Sequence, residues 1–411
     1  MKINQHVVNI CRPLWHRFLC TYFFIRHFYK IIIVRKSHLF RESFYITENA
    51  GFYRWDGLSP LVHYIGTGWR HGNISVEHFI DPVWLYYHPG LLRSDCAPLY
   101  DFIRKGCDWK EMKRLQQDFD QEVLEHRRRL KYQDLFLDPQ IFGKGCSCRS
   151  DRPAIAVQMH LFYEEMIPEF CKNLNCIPAP FDLLLSLPEK NKDHEQQIRE
   201  QFIRLLPLMG DIYFEYVPNR GRDIAPLICS YGKKLLNYEM FCHIHTKKSD
   251  YSTINLKWRK FILNHLFFSK EWCGALLSAL ENGAGVIAPP DFIDLTEDLS
   301  GWGKNWYAAI DFAKRYLPGV NLAQDFPIIE FPQGSMFWAR TDYLEDMLKL
   351  PLAYEDFPME PIPTDGTIAH VLERFIFLWG LSKKGGVHKV FHPGETERAM
   401  RPRYYHQIYE D

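Results

Sequence analysis

From residue 153 onward, short apolar runs alternate with stretches of helical period. Residues 154–159, 181–187, 211–217, 241–245, 285–288 and 335–339 read as strands. Residues 162–174, 193–206, 224–236, 255–268, 271–282, 304–316 and 366–379 read as helices. Such alternation predicts an α/β fold, with an open, mostly parallel sheet covered by helices on both faces. Sheets of that kind bind ligands beyond the carboxyl ends of their strands, so the loops after 217, 245, 289 and 339 are the first place to look for chemistry.

Upstream the pattern differs. Leu58-Ser-Pro-Leu-Val-His-Tyr-Ile-Gly-Thr-Gly68 is echoed by Cys96-Ala-Pro-Leu-Tyr-Asp-Phe-Ile-Arg-Lys-Gly106, each unit with Pro at a helix start and Gly at its end. Aromatic clusters precede both units: Phe44, Tyr45, Phe52, Tyr53 and Trp55 in the first, Trp84, Tyr86 and Tyr87 in the second. They suit a packed core, with a sugar-stacking surface as the alternative. The chain therefore divides into a basic aromatic segment (1–43), a small helical repeat module (44–110), a charged connecting helix and linker (111–150) and an α/β domain (151–411).

Charge sharpens this division. The chain has 50 Lys+Arg and 50 Asp+Glu, and this neutrality argues against a nucleic-acid polymer as partner. Residues 1–36 nevertheless carry seven basic residues and no acid, so the remainder is net acidic. The basic charges interrupt the apolar residues too often for a spanning helix or a signal peptide. A helix lying in the interface of an anionic membrane fits them, which predicts a cytoplasmic protein peripheral to the inner membrane. The alternative is a helix packed on the protein's own body. The 11 cysteines form no CxxC pair, which speaks against a disulfide scaffold or zinc knuckle.

Four constellations fall at or near predicted strand ends. In Asn219-Arg-Gly-Arg-Asp223, Gly221 permits an unusual turn, Arg220 and Arg222 offer forked donors to a diphosphate, and Asp223 can cap a helix or hold a ribose hydroxyl. In His243-Ile-His-Thr-Lys-Lys-Ser249 the two histidines share a strand face, and Thr246, Lys247 and Lys248 suit phosphate oxygens or an acceptor. Arg259 follows as a further anion contact, beside Trp258. In Gly334-Ser-Met-Phe-Trp-Ala-Arg340 a polar turn precedes an aromatic strand whose Trp338 is core or a sugar platform. Finally, Glu360 and Asp365 border a helix bearing His370, Glu373 and Arg374, and these two acids are the general-base candidates.

Taken together, Asn219-Arg-Gly-Arg-Asp-Ile-Ala-Pro, His245-Thr-Lys-Lys-Ser, Gly334-Ser-Met-Phe-Trp-Ala-Arg and Asp365-Gly-Thr-Ile-Ala-His-Val-Leu-Glu-Arg-Phe resemble the rhamnan synthesis protein F family over about 154–395. The resemblance implies a GT-A-like fold and transfer of a sugar, rhamnose or another hexose, from a nucleotide-diphosphate sugar such as dTDP-rhamnose. The acceptor it implies is a growing cell-surface polysaccharide or lipid-linked glycan. Many enzymes of that fold hold Mg or Mn on an Asp-x-Asp motif, whereas the corresponding strand here ends His243-Ile-His245-Thr-Lys-Lys. No metal ligands are therefore assigned, and Arg220, Arg222, Lys247 and Lys248 are expected to neutralise the leaving diphosphate. Asp291 and Asp294 are a fallback acid pair. The rival reading is a non-catalytic glycan-binding or scaffold subunit of a polysaccharide assembly complex.

Overall fold

The computed structural model describes residues 24–48, 58–66, 68–71, 75–76, 81–88, 90–91, 96–129, 138, 154–246, 253–292, 302, 305–317, 320, 322, 329–360, 362, 365–380 and 386–393. Residues 1–23, the linker 143–150, Lys247, Lys248 and Asp294 lie outside them. The chain forms two compact units, one of residues 1–125 with 302–328 and 362–367, the other of 126–301, 329–361 and 368–411. The first unit thus takes up two segments that the linear reading assigned to the α/β domain, because packing in space ignores order along the chain.

In the first unit, helix 24–36 buries His27, Ile31 and Val34, at helical spacing, and exposes Phe24, Ile25, Phe28 and Tyr29. Helices Pro60–Gly66 and Pro98–Arg104 start at the prolines of the two echoed segments. Tyr45, Tyr64, Trp69, Trp84 and Phe102 are fully buried, so these rings are core and not a sugar-stacking surface. Asp101 sits among them, accepting from Lys105 at 2.8 Å, Arg104 at 3.1 Å and Trp84 Nε1 at 3.3 Å. Burial pushes its pKa up, but hydrogen bonds from Lys105, Trp84 and Arg104 outweigh this and hold the carboxyl below its usual range. No described helix is long and apolar enough to cross a membrane.

The second unit is built on a seven-stranded sheet. Its strands are β1 (Ile155–His160), β2 (Phe181–Pro188), β3 (Met209–Val217), β4 (Met240–His245), β5 (Val286–Ala288), β6 (Phe337–Arg340) and β7 (Val387–Lys389), in the order β3-β2-β1-β4-β6-β5-β7. β1 pairs in parallel with both β2 and β4, and β2 with β3; β6 runs antiparallel to its neighbours β4 and β5. Six of the strands match the predicted runs to within about two residues at each end. The seventh, β7, is only three residues long and pairs at the sheet's edge with β5. The expected start of β6 at Ser335 is a turn instead, because Gly334 and Ser335 both take left-handed backbone angles that no strand accepts.

The two faces of the sheet differ. One presents Ile155, Val157, Met159, Leu183, Leu185, Leu187, Cys242, Ile244 and Trp338 to a core shared with helices Ile167–Leu174, Glu195–Leu205, Thr253–Phe267 and Lys270–Glu281. The other carries Gln158, His160, Ser186, His243 and His245 at alternate positions. Five polar side chains buried on one face need partners, and that requirement organises the candidate site.

Candidate functional site

Strand order reverses between β1 and β4: from β1 the chain moves outward through β2 and β3, then returns to β4 on the other side. In an open parallel sheet this opens a crevice at the carboxyl ends of the two strands. Thr246, just past β4, ties those ends together. Its hydroxyl accepts the backbone N–H groups of Phe162 at 2.8 Å and Tyr163 at 3.1 Å, and its own N–H donates to His160 O at 3.0 Å. Thr246 is fully buried in this role. Its hydroxyl holds the loop after β1 in place of the phosphate contact expected from the sequence.

On the polar face, His243 faces Gln158 across the ladder, and His160 lies between Ser186 and His245. His243 Nδ1 is 2.5 Å from the Gln158 amide, and its Nε2 is 3.4 Å from Asp223 Oδ2. The Gln158 amide also meets Ser186 Oγ at 3.2 Å, and Ser186 Oγ lies 3.0 Å from His160 Nδ1. Burial lowers the pKa of His160 to about 4; Asp223 opposes this, while His245 and His243 reinforce it. His160 is accordingly neutral at physiological pH. Gln158, His160 and Ser186 belong to this buried polar row and do not stand out in the motifs; their signal in the sequence is a polar residue inside an otherwise apolar strand.

The turn after β3 is shaped by two consecutive left-handed residues, Gly221 (φ 66°) and Arg222 (φ 53°). A Cβ at Gly221 would come within 2.4 Å of Ala225 Cβ and 2.5 Å of Phe357 Cδ1, so only glycine fits. Arg222 has a side chain and still adopts this conformation, at a cost of about 1–2 kcal/mol. Strain of that kind concentrates at functional sites. The Arg222 guanidinium pairs with Glu360 Oε1 at 3.5 Å and donates to His370 Nε2 at 3.2 Å. Arg220 donates to Tyr354 O at 3.3 Å, and its backbone bridges to Met359. The structure thus gathers Arg220, Arg222, Asp223, Glu360 and His370, which lie far apart in sequence. Asn219 is exposed in the same turn.

A second left-handed pair, Gly334 (φ 81°) and Ser335 (φ 59°), precedes β6. His245 Nε2 donates to Gly334 O at 2.9 Å, and Glu373 Oε1 accepts the Gly334 N–H at 2.9 Å. β4 and helix Ile368–Gly380 thereby clamp this turn at the edge where the parallel strands end. Glu373 is a backbone clamp here.

Several expected contacts fall elsewhere. Trp338 is fully buried on the apolar face and donates to Leu266 O, so it cannot meet a sugar. Arg259 pairs with Glu169 at 3.3 Å, joining two helices of the apolar layer. Arg374 is buried, bonded to His370 O within its own helix and stacked over Phe331. Asp365 belongs to the first unit, where it accepts from Asn305 Nδ2 at 2.6 Å. Asp291 is locked in a buried triad, Lys389 Nζ reaching it at 2.6 Å and Glu330 at 2.5 Å. Among the described residues no group of three or more His, Cys, Asp or Glu is placed to hold a metal ion. His243 and His245 face Gln158, Asp223 and Gly334 O.

The chain matches the model of a family described as "Rhamnan synthesis protein F" over residues 110–384. It is also similar to two curated proteins named "Uncharacterized protein WxcX", from two strains of Xanthomonas campestris pv. campestris. Each is 28% identical over 283 residues, covering 65% of this chain and 37% of the relative. The chain therefore corresponds to little more than a third of those proteins.

Proposed function

The chain belongs to the rhamnan synthesis protein F family, a family of polysaccharide synthesis, and on that premise we propose that it is a glycosyltransferase. In this reading the second unit is a GT-A-like domain that binds a nucleotide-diphosphate sugar in the crevice between β1 and β4. The observation that carries the proposal is the strained Arg222, its guanidinium beside Glu360 at the carboxyl edge of the parallel sheet. Arg222 and Arg220 take the diphosphate and stabilise its charge as it leaves. Asp223 takes a ribose hydroxyl. Glu360, in the same unit as the arginines, deprotonates the acceptor hydroxyl. The donor is a dTDP- or other nucleotide-linked rhamnose or hexose, and the acceptor a growing cell-surface glycan.

Membrane docking is the second part of the proposal. Helix 24–36 exposes Phe24, Ile25, Phe28 and Tyr29 and carries Arg26, Lys30, Arg35 and Lys36 with no acid. An apolar stripe among basic residues suits an anionic leaflet, which would place the enzyme at the cytoplasmic face of the inner membrane. The echoed helices at Pro60 and Pro98 would serve as a compact accessory module beside it.

Incubation of the purified chain with a panel of nucleotide sugars, with and without EDTA, tests the enzyme. Donor hydrolysis or transfer, abolished by Arg222→Ala and Glu360→Gln, is expected. Binding without turnover would favour the scaffold reading, and no binding to any donor would end the nucleotide-sugar proposal.

A further inference from the structure

The turn before β6 carries two unfavourable features that folding alone does not call for. Ser335 is left-handed (φ 59°) although it has a Cβ, directly after Gly334, where the same conformation meets no such penalty. Ser335 is also only 5% exposed, yet among the described residues its hydroxyl makes no hydrogen bond; its backbone N–H goes to Pro332 O at 2.9 Å. A buried hydroxyl without a partner is unfavourable unless something outside the chain meets it.

The neighbours of Ser335 fix the face it occupies. A Cβ at Gly334 would meet Ile262 and Trp258, and Met336 and Trp338 lie in the core of that same apolar layer. Phe337 turns the other way, its ring against Phe241 and His243 on the polar face. Ser335, between two residues directed at the apolar layer, is thereby placed with Phe337. In the β4–β6 ladder His243 is opposite Phe337, so two residues further out Ser335 stands beside His245, whose ring holds Gly334 O at 2.9 Å. Next to His245 across the β1–β4 ladder is His160, which meets Ser186 through Nδ1 and, among the described residues, makes no hydrogen bond through Nε2.

Helix Ile368–Gly380 fastens this turn and the arginine turn in a fixed relation. Its His370 meets Arg222 at 3.2 Å and its Glu373 meets the Gly334 N–H at 2.9 Å. Those two positions are three residues apart, about 4.5 Å along the helix axis, a spacing on the scale of one sugar ring. We propose that Ser335 is a sugar contact: its hydroxyl, with the His160 ring, meets hydroxyl groups of the donor's hexose while Arg220 and Arg222 hold the diphosphate. The proposal rests on the nucleotide-sugar reading above and adds to it the residue that reads the sugar. The chemistry divides accordingly. Ser335 is uncharged, and burial lowers the pKa of His160 to about 4, which leaves its ring uncharged as well. Such groups suit hydroxyls, whereas phosphate oxygens go to guanidinium groups. The left-handed strain at Ser335, like that at Arg222, is then kept because it aims a side chain at the ligand.

Isothermal titration calorimetry of the full chain with dTDP-rhamnose, UDP-glucose and GDP-mannose, each beside its nucleoside diphosphate, tests the contact. For the pair that binds, Ser335→Ala should weaken the nucleotide sugar by about fivefold and leave the free diphosphate unchanged, whereas Arg222→Ala should weaken both. Ser335→Gly, which also relieves the left-handed backbone, should show the same selective loss with a thermal midpoint above that of S335A. Equal losses for sugar nucleotide and diphosphate would make Ser335 a structural residue, and no loss for either would remove it from the site. Both results refute the contact and leave the nucleotide-sugar reading standing. If neither a nucleotide sugar nor a diphosphate bound the unaltered chain, that reading and the contact would fall together.

Discussion

Replacing Arg222 by glycine and by alanine separates its backbone from its side chain. Both variants lose the guanidinium, its 3.5 Å pair with Glu360 and its bond to His370. The two side chains of that pair are 25% and 26% exposed, so its loss costs about 0.5–1 kcal/mol and affects both variants alike. Alanine keeps the penalty of φ 53°, about 1–2 kcal/mol for a residue with a Cβ. Glycine removes it but gives the unfolded chain extra freedom, worth about 0.5–1 kcal/mol. The difference favours R222G over R222A by about 0.5–1 kcal/mol, a shift of about 0.2–0.5 M in the urea midpoint at an m value of 2–3 kcal/mol/M. Tryptophan fluorescence during urea unfolding measures it, and both variants should lose donor binding equally. If R222G were no more stable than R222A, the left-handed conformation would carry no strain, and the argument that function maintains it would fail.

Further outcomes are expected. Gly221→Ala should destabilise by about 2–4 kcal/mol in thermal unfolding, from left-handed strain plus overlap with Ala225 and Phe357. Gly334→Ala should cost less, because its Cβ comes no nearer than 2.9 Å to Ile262 and 3.0 Å to Trp258, against 2.4 Å and 2.5 Å at Gly221; the reverse order would contradict the packing. Lys389→Ala leaves two buried carboxylates facing each other and should cost about 3–5 kcal/mol, whereas K389A combined with D291N and E330Q should recover part of that loss. Acid should weaken the fold through buried histidines. Burial lowers the pKa of His160 to about 4 and of His265 to about 3, so between pH 6.5 and those values the unfolded chain binds more protons. Stability is then full above about pH 6.5 and falls with decreasing pH, by about 4 kcal/mol for the pair at pH 5. Denaturant titrations across pH should show a shallower decline in His265→Phe, and an equal decline would dismiss its part.

Much of the chemistry could be read along the chain. Arg220, Gly221, Arg222 and Asp223 were recognisable because a strand, a glycine and a helix start in succession describe a turn whatever surrounds it. Gln158, His160 and Ser186 were passed over, since each lies singly in an apolar run and acquires meaning only from the strand beside it. Trp338 and Arg259 erred in the opposite direction. Residue type made them look like ligand contacts, while the sheet face and a neighbouring helix made them core and ion pair.

The sequence by itself determined the α/β alternation, six of the seven strands, the helices that start at Pro60 and Pro98, and the concentration of basic charge before residue 37. Those properties follow from local period, backbone propensity and composition, which need no knowledge of distant residues. Tertiary structure alone decided that β6 runs backwards between β4 and β5, that 302–328 and 362–367 join the first unit, and that Arg222 faces Glu360 and His370. Each of these depends on contacts between residues far apart in the chain, where burying apolar faces and satisfying buried polar groups select one arrangement among many that the local pattern permits.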